Sequence, residues 1–163
     1  MIRAATSGDA KAIAGIYNPY VAETIITFEE QPVSAQEVEQ RISQVLGGGL
    51  PYLVAELEGQ VCGYAYATPW RVRSAYRFST ETTVYLTKAH VGKGSGSLLY
   101  SELLARLASL GAHVAIGGVA LPNDASVALH EKLGFKKVAH FEEVGHKFGK
   151  WVDVGYWQKR LAS

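Results

Sequence analysis

The sequence predicts a protein of the α/β (α+β) class, in which one mixed, mostly antiparallel sheet is flanked by helices. Two observations carry this. Along the chain, β-prone runs and amphipathic stretches follow one another as β-α-α-β-β-β-α-β-α-β-β. The run Ser79 to Thr87, a leucine-rich helical stretch and the run His113 to Leu121 form a strand-helix-strand unit, which predicts a parallel crossover, whereas Glu58-Gly59 joins its neighbours as an antiparallel hairpin. With 163 residues, 48% of them hydrophobic, the chain has the size and core material of one domain, residues 1–163.

Each element has a local signal. Ile2 to Ala5 reads as a short strand, and Thr6-Ser-Gly-Asp9 offers capping groups to a helix that places Ile13, Ile16, Tyr17 and Tyr20 on one face. Ser34 and Glu37 make a capping-box pattern ahead of a second helix, with Val38, Ile42, Val45 and Leu46 as its buried stripe and Gly47-Gly-Gly49 as its end. Tyr52 to Leu57 and Gln60 to Thr68 are the arms of the hairpin, and Ser79 to Thr87 is the next strand. Between them, Pro69 to Phe78 is a polar and aromatic connection too long for a tight turn, the kind of loop that carries function.

In the second half, Leu98, Leu99, Leu103, Leu107 and Leu110 trace a helix that Gly111 ends, and His113 to Leu121 reads as a buried strand. Asn123-Asp-Ala-Ser126 starts a short helix running through Lys132, and Gly134 stops it. Phe135 to Val144 and Trp151 to Lys159 are the closing strands. Their aromatic residues Trp151, Tyr156 and Trp157 read as core or subunit interface.

Composition narrows the function. Sixteen Lys and Arg against fifteen Asp and Glu leave a formal charge of +1, which implies no bulk attraction to nucleic acid or to an anionic membrane. Any anion site must be local. The lone Cys62 has no partner for an intramolecular disulfide, and no Cys/His cluster has metal-ligand spacing, so the default reading is a metal-free protein of a reducing compartment. Met1-Ile-Arg-Ala-Ala-Thr lacks a signal pattern and no apolar run is of bilayer length, which points to the cytoplasm.

The stretch His90-Val-Gly-Lys-Gly-Ser-Gly-Ser-Leu-Leu-Tyr100 sets three glycines and a lysine before a helix, where unpaired N–H groups can converge on a phosphate. It is not a triphosphate loop: the required earlier glycine is Thr87, and Lys93 is followed by Gly94 rather than Ser or Thr. The dinucleotide fingerprint fits at Gly92 and Gly94 but meets Ser97 at its third position. What remains is x-x-Gly94-x-Gly96 directly after Thr83-Val-Tyr-Leu-Thr87. This spacing resembles the acetyl-CoA loop of the GNAT superfamily of N-acetyltransferases. Pro122-Asn-Asp-Ala-Ser-Val-Ala-Leu-His-Glu-Lys-Leu-Gly-Phe135 is similar to that superfamily's second cofactor segment. The ending Gly145-His-Lys-Phe-Gly-Lys-Trp-Val-Asp-Val-Gly-Tyr-Trp-Gln158 resembles the phosphinothricin and methionine sulfone/sulfoximine acetyltransferase branch, with Ile16-Tyr-Asn18, Thr27-Phe-Glu29 and Glu81-Thr-Thr-Val-Tyr85 also in register.

The resemblance implies the single-domain acetyltransferase fold, acetyl-CoA as co-substrate and a homodimer. It implies a small amino acid or analogue as acceptor, acetylated on its α-amine by direct attack in a ternary complex, and a resistance role toward such compounds. The backbone N–H of Leu86 is then the donor to the acetyl carbonyl, with Val84 and Tyr85 on the same strand. Amides from Val91, Gly92, Lys93, Gly94, Ser95, Gly96 and Ser97 take the pyrophosphate, and Asn123 and Ser126 complete the cofactor set. Val91 departs from the Gln or Arg common in the superfamily, which removes a side-chain contact and leaves the amide. Lys93 reads equally as added charge or as a solvated loop lysine. Glu81 is then the candidate general base, which at an ordinary carboxylate pKa needs burial or a relaying water. His130 is the other candidate for proton transfer, standing where the superfamily often has a tyrosine that protonates the thiolate; the resemblance leaves open which of the two acts as base and which as acid.

Arg71, Val72, Arg73, Arg77, Glu81, Thr82 and Thr83 are the substrate positions. A guanidinium matches the carboxylate of a free amino acid, and a solvated basic loop is the equal alternative for the arginines. Tyr76 and Phe78 read as substrate or core packing, and His90, His113, His140 and His146 as structural. Two other functions stay open: a protein or peptide N-terminal acetyltransferase on the same fold, and a non-catalytic acyl-CoA-binding module.

Overall fold

The computed structural model describes residues 1–161. Its element order is β1 (Ile2–Ala4), α1 (Ala10–Glu23), α2 (Ala35–Gly47), β2 (Tyr52–Leu57), β3 (Gln60–Pro69), β4 (Ser79–Leu86), α3 (Ser95–Ser109), β5 (Val114–Leu121), α4 (Asp124–Lys132), β6 (Lys136–Lys147) and β7 (Lys150–Arg160). This is the sequence-derived order, strand for strand. The strands form one sheet in the order β1-β2-β3-β4-β5-β7-β6, in which β4 and β5 are the parallel pair. The hairpin at Glu58-Gly59 has both residues at positive φ, +53° and +77°, as a twist-matched two-residue turn requires.

Strand alternation splits the core between two faces. Leu53, Ala65, Ala67 and Ala115 lie under α3, whose Leu99, Tyr100, Leu103 and Leu107 are fully buried. The small alanines let that helix approach the sheet, and each buried leucine contributes roughly 1.5 to 3 kcal/mol. Tyr52, Tyr64, Tyr66 and Tyr85 project from the other face against α1 and α2. Asp9, buried ahead of α1, accepts two hydrogen bonds of 2.8 Å from the Arg3 guanidinium and another from Thr6 N–H, and the Arg3 charge holds its carboxyl below the usual range.

Several expectations are corrected. Ser34 caps α2 by accepting from Glu37 N–H at 3.0 Å, but the Glu37 carboxylate turns to Arg41 at 3.3 Å instead of closing the box. Leu46 is 40% exposed, and Leu98 and Leu110 are 67% and 61% exposed. Leu98 and Leu99 stand about 100° apart on the helix, so only one can face the sheet; Leu110 lies beyond the end of α3. Trp157 is buried, whereas Trp151 is exposed on the outer hairpin and so is not core. β6 runs on to Lys147 because a bulge between Phe141 and Gly145 absorbs the irregular register.

Candidate active site

Although β4 and β5 are each eight residues long, they pair only from Ser79–Val114 to Glu81–Ile116. Beyond Glu81 they separate, and the gap is a cleft with a cavity of about 100 Å³. The register of β3 on β4 decides which groups face it. Gly63 stands opposite Leu86 while Thr87 N–H donates to Cys62 O at 2.9 Å, which makes Leu86–Gly63 a pair without mutual hydrogen bonds. Both backbone polar groups of Leu86 therefore point toward the gap, and by the period of two so do those of Val84. The Tyr20 hydroxyl donates to Leu86 O at 2.5 Å, leaving the N–H directed into the cleft. Tyr85 pairs with Tyr64 through its backbone and packs its ring against Tyr17 and Tyr20, both at 5.2 Å.

At the mouth of the cleft, Thr87 Oγ1 bonds His90 Nδ1 at 2.7 Å, and the loop then turns through Gly92 and Gly94 at φ +79° and +87°. Gly94 occupies the cap position of α3 and supplies no side-chain acceptor, so the N–H groups of Ser95, Gly96 and Ser97 open the helix uncapped. Gly96 is buried, and a Cβ there would press Leu86 Cδ1 at 3.2 Å. Val91 and Lys93 are exposed. A splayed pair of strands with free backbone groups, followed by an uncapped helix start, fits an elongated ligand that ends in a phosphate.

Glu81 stands at the branch point, half-buried, on the tyrosine face. Burial raises its carboxyl above the ordinary range, and the Arg71 charge opposes that shift. Glu81, Thr82 and Thr83 all line the cleft; Thr83 shares the face of Glu81, and alternation turns Thr82 to the α3 side. There a buried chain runs from Thr82 Oγ1 to Tyr100 OH (2.5 Å), on to His130 Nε2 (3.0 Å), and from His130 Nδ1 to Ser126 O (2.8 Å). Because a carbonyl only accepts, Nδ1 carries the proton, Nε2 accepts from Tyr100, and Thr82 donates to Tyr100. Burial pushes His130 below its ordinary value and keeps the ring neutral at pH 7, with Ser126 O opposing. Gly117 is required beside it, since a Cβ would overlap the imidazole. His130 and Ser126 border the cleft with Asn123, whose Oδ1 caps α4 by accepting from Ser126 N–H at 3.2 Å.

The connection between β3 and β4 holds the arginines at the surface. Arg71 lies over the Trp70 ring at 4.2 Å and acts on Glu81 through its charge. Arg77 lies over Phe78 at 4.5 Å and donates to Ser74 O, Val72 is fully exposed, and Tyr76 and Phe78 are about half exposed rather than core. Sequence reasoning missed Tyr20 and Tyr100 as site residues, because a tyrosine on an apolar helix face reads as core. It also missed Ile26, which borders the cleft from the α1–α2 connection, and the Gly118–Ala120 wall on β5. The departure of β5 from β4 would have identified that wall, and pairing carries no single-residue signal.

Comparison with known proteins agrees with this geometry. Residues 2–155 match the family model described as Acetyltransferase (GNAT) domain. The chain is 40% identical over 158 residues to a phosphinothricin N-acetyltransferase of Streptomyces viridochromogenes, covering 97% of this chain and 86% of that protein. It is 38% identical to an L-methionine sulfoximine/L-methionine sulfone acetyltransferase of Salmonella typhimurium, covering 98% and 94%. A GNAT superfamily phosphinothricin acetyltransferase from Sinorhizobium meliloti, solved in complex with acetyl-CoA, superposes with a TM-score of 0.96 at 39% identity over 99% of this chain and 88% of that one. A split sheet, a glycine-turned helix start and full-length similarity to these enzymes lead to one assignment: the chain belongs to the GNAT family of acetyltransferases.

Proposed function

We propose that this acetyltransferase uses acetyl-CoA to acetylate the α-amine of a small amino acid or analogue, with phosphinothricin, methionine sulfoximine and methionine sulfone as the leading acceptors, by direct transfer in a ternary complex. The observation that carries the reading is the Leu86 N–H aimed into the cleft with the half-buried Glu81 five residues before it. The names of the relatives at 38 to 40% identity supply the acceptor class.

Acetyl-CoA, when bound, supplies an acetyl thioester. Val84 and Leu86 would hold it along β4, the amides from Val91 to Ser97 would take its pyrophosphate, and Asn123 and Ser126 would border it from α4. Leu86 N–H stabilises the charge that develops on the carbonyl oxygen, a contribution of about 3 to 4 kcal/mol for such a donor. Glu81, whose raised pKa makes it a better base than an exposed carboxylate, takes the proton the amine must lose. The leaving thiolate needs one proton to balance the one Glu81 takes from the amine. Tyr100 OH, hydrogen-bonded to the neutral His130, would pass the thiolate a proton replaced from solvent, and His130 would hold that relay in place. Arg71 and Arg73 orient the acceptor carboxylate at the edge of the cleft, with Val72, Arg77 and Thr83 around it.

The enzyme works as a homodimer in the cytoplasm. Phe141, Val144, Phe148 and Trp151, each at least 52% exposed on the outer hairpin, supply apolar surface for a second copy, and the free Cys62 suits a reducing compartment. Thiol release from acetyl-CoA against a panel of free amino acids, the three analogues and short peptides tests the activity. Turnover confined to peptides would replace this reading with N-terminal acetylation of proteins, and acetyl-CoA binding without acceptor-dependent thiol release would leave a binding module.

A further inference from the structure

Two sequence motifs have no part in the chemistry above, Thr27-Phe-Glu29 in the α1–α2 connection and Gly145-His-Lys-Phe148 at the end of β6. The fold brings them together across the sheet. Lys147 is 1% exposed, and its ammonium donates to the backbone carbonyl of Thr27 at 2.8 Å, 120 residues away in sequence. The Phe28 ring occupies the space that a Cβ at position 145 would fill, so a larger residue there would displace the ring. Lys147 makes no direct ion pair among the described residues, and burial lowers its pKa against the charges of Glu30 and Glu29.

The rest of the connection is tied to the helices. Asn18 bridges to Val33 through both its amide atoms at 2.9 Å, and the Tyr17 hydroxyl bonds Thr27 Oγ1 and Glu29, which pairs with Arg41. Lys147 and Gly145 instead fasten the same segment to the sheet. The neighbouring Ile26 borders the cleft beside Glu81. The segment so fastened is therefore a wall of the site on the face where Glu81 stands.

We propose that the Lys147–Thr27 hydrogen bond and the seating of Phe28 on Gly145 form a clasp that sets the α1–α2 connection over the cleft, making Lys147 and Phe28 positioning residues for the amine acceptor. This rests on the acetyl-transfer reading. Neither residue is among those that line the cleft. Lys147→Met keeps the length of the side chain and removes the hydrogen bond, while Phe28→Ala changes a ring that is 42% exposed and leaves the core intact.

Amide hydrogen exchange and steady-state kinetics on the full-length protein test the clasp. In both variants the amides of residues 24–31 should exchange faster, and acceptor KM should rise about tenfold while acetyl-CoA KM stays within about twofold of wild type. Unchanged exchange in both variants overturns the clasp whatever the kinetics. Faster exchange with acceptor KM unchanged overturns the positioning role, as does an equal rise in both KM values. A wild-type protein that turns over none of the amino acids fails the acetyl-transfer reading, and with it the role for the acceptor, while the exchange result still decides whether the clasp exists.

Discussion

Glu81 and Ile116 are the last residues to face one another before β4 and β5 part, so the one carboxylate at the branch point lies where backbone pairing gives way to cleft. Burial holds that carboxylate above its ordinary pKa. As a base it must be ionised, so kcat/KM should climb as pH rises through the raised value and level off above it. Glu81→Gln should lower kcat by about 10² to 10⁴-fold and abolish that climb. The linkage has the opposite sign for stability: the folded state binds the proton more tightly than the unfolded one, so stability falls as pH rises through the window between the two values. Glu81→Gln should therefore unfold at a higher temperature than wild type at neutral pH while being far less active, which a thermal melt beside an activity assay will show.

Gly94 caps α3 at φ +87°, a conformation that costs a residue with a Cβ about 1 to 2 kcal/mol. The loop is exposed, so Gly94→Ala should relax by shifting the amides of Ser95 and Gly96 rather than by unfolding the chain. Acetyl-CoA KM should rise about tenfold, the equivalent of that strain, with acceptor KM little changed. Initial-rate kinetics with each substrate varied in turn will separate the two constants.

Arg71 lies on Trp70 and has no carboxylate partner among the salt bridges of the described residues, so its fork is available to an acceptor. Arg71→Ala should raise acceptor KM far more than acetyl-CoA KM. Arg71→Lys should recover only part of the loss, since an ammonium keeps the charge but not the paired donors. An amino-acid amide, lacking the carboxylate, should bind wild type and Arg71→Ala alike, and competition assays with that analogue check the assignment.

The order of elements was legible because its signals are local. Ser34 before α2, the Glu58-Gly59 turn and the leucines of α3 each act within a few residues. The placement of the glycine loop was legible for the same reason, since it follows the strand Ser79–Leu86 and opens the helix at Ser95. The separation of β4 from β5 was not, because it depends on where a pairing between segments 35 residues apart stops, and Thr82 and Thr83 look alike in sequence until alternation sends them to opposite faces. Lys147 falls between the two closing strands that the sequence predicts, where it has no assigned role, and only the packed fold shows it buried against Thr27.

Tyr100 offers a last test, because among the described residues its hydroxyl is the only link between Thr82 and His130. In Tyr100→Phe, Thr82 Oγ1 can turn to Ile116 O, already 3.5 Å away, and so remains satisfied. His130 Nε2 has no such alternative, and its lone pair stays buried without a donor. The cost should be about 1 to 3 kcal/mol in urea denaturation, with the slope of the transition unchanged. If the chain also conducts the proton that reaches the thiolate, kcat should fall with both KM values near wild type. A loss of stability with kcat intact would leave Tyr100 and His130 as packing for the strand that carries Leu86, and would move the thiolate's proton source to solvent at the mouth of the cleft.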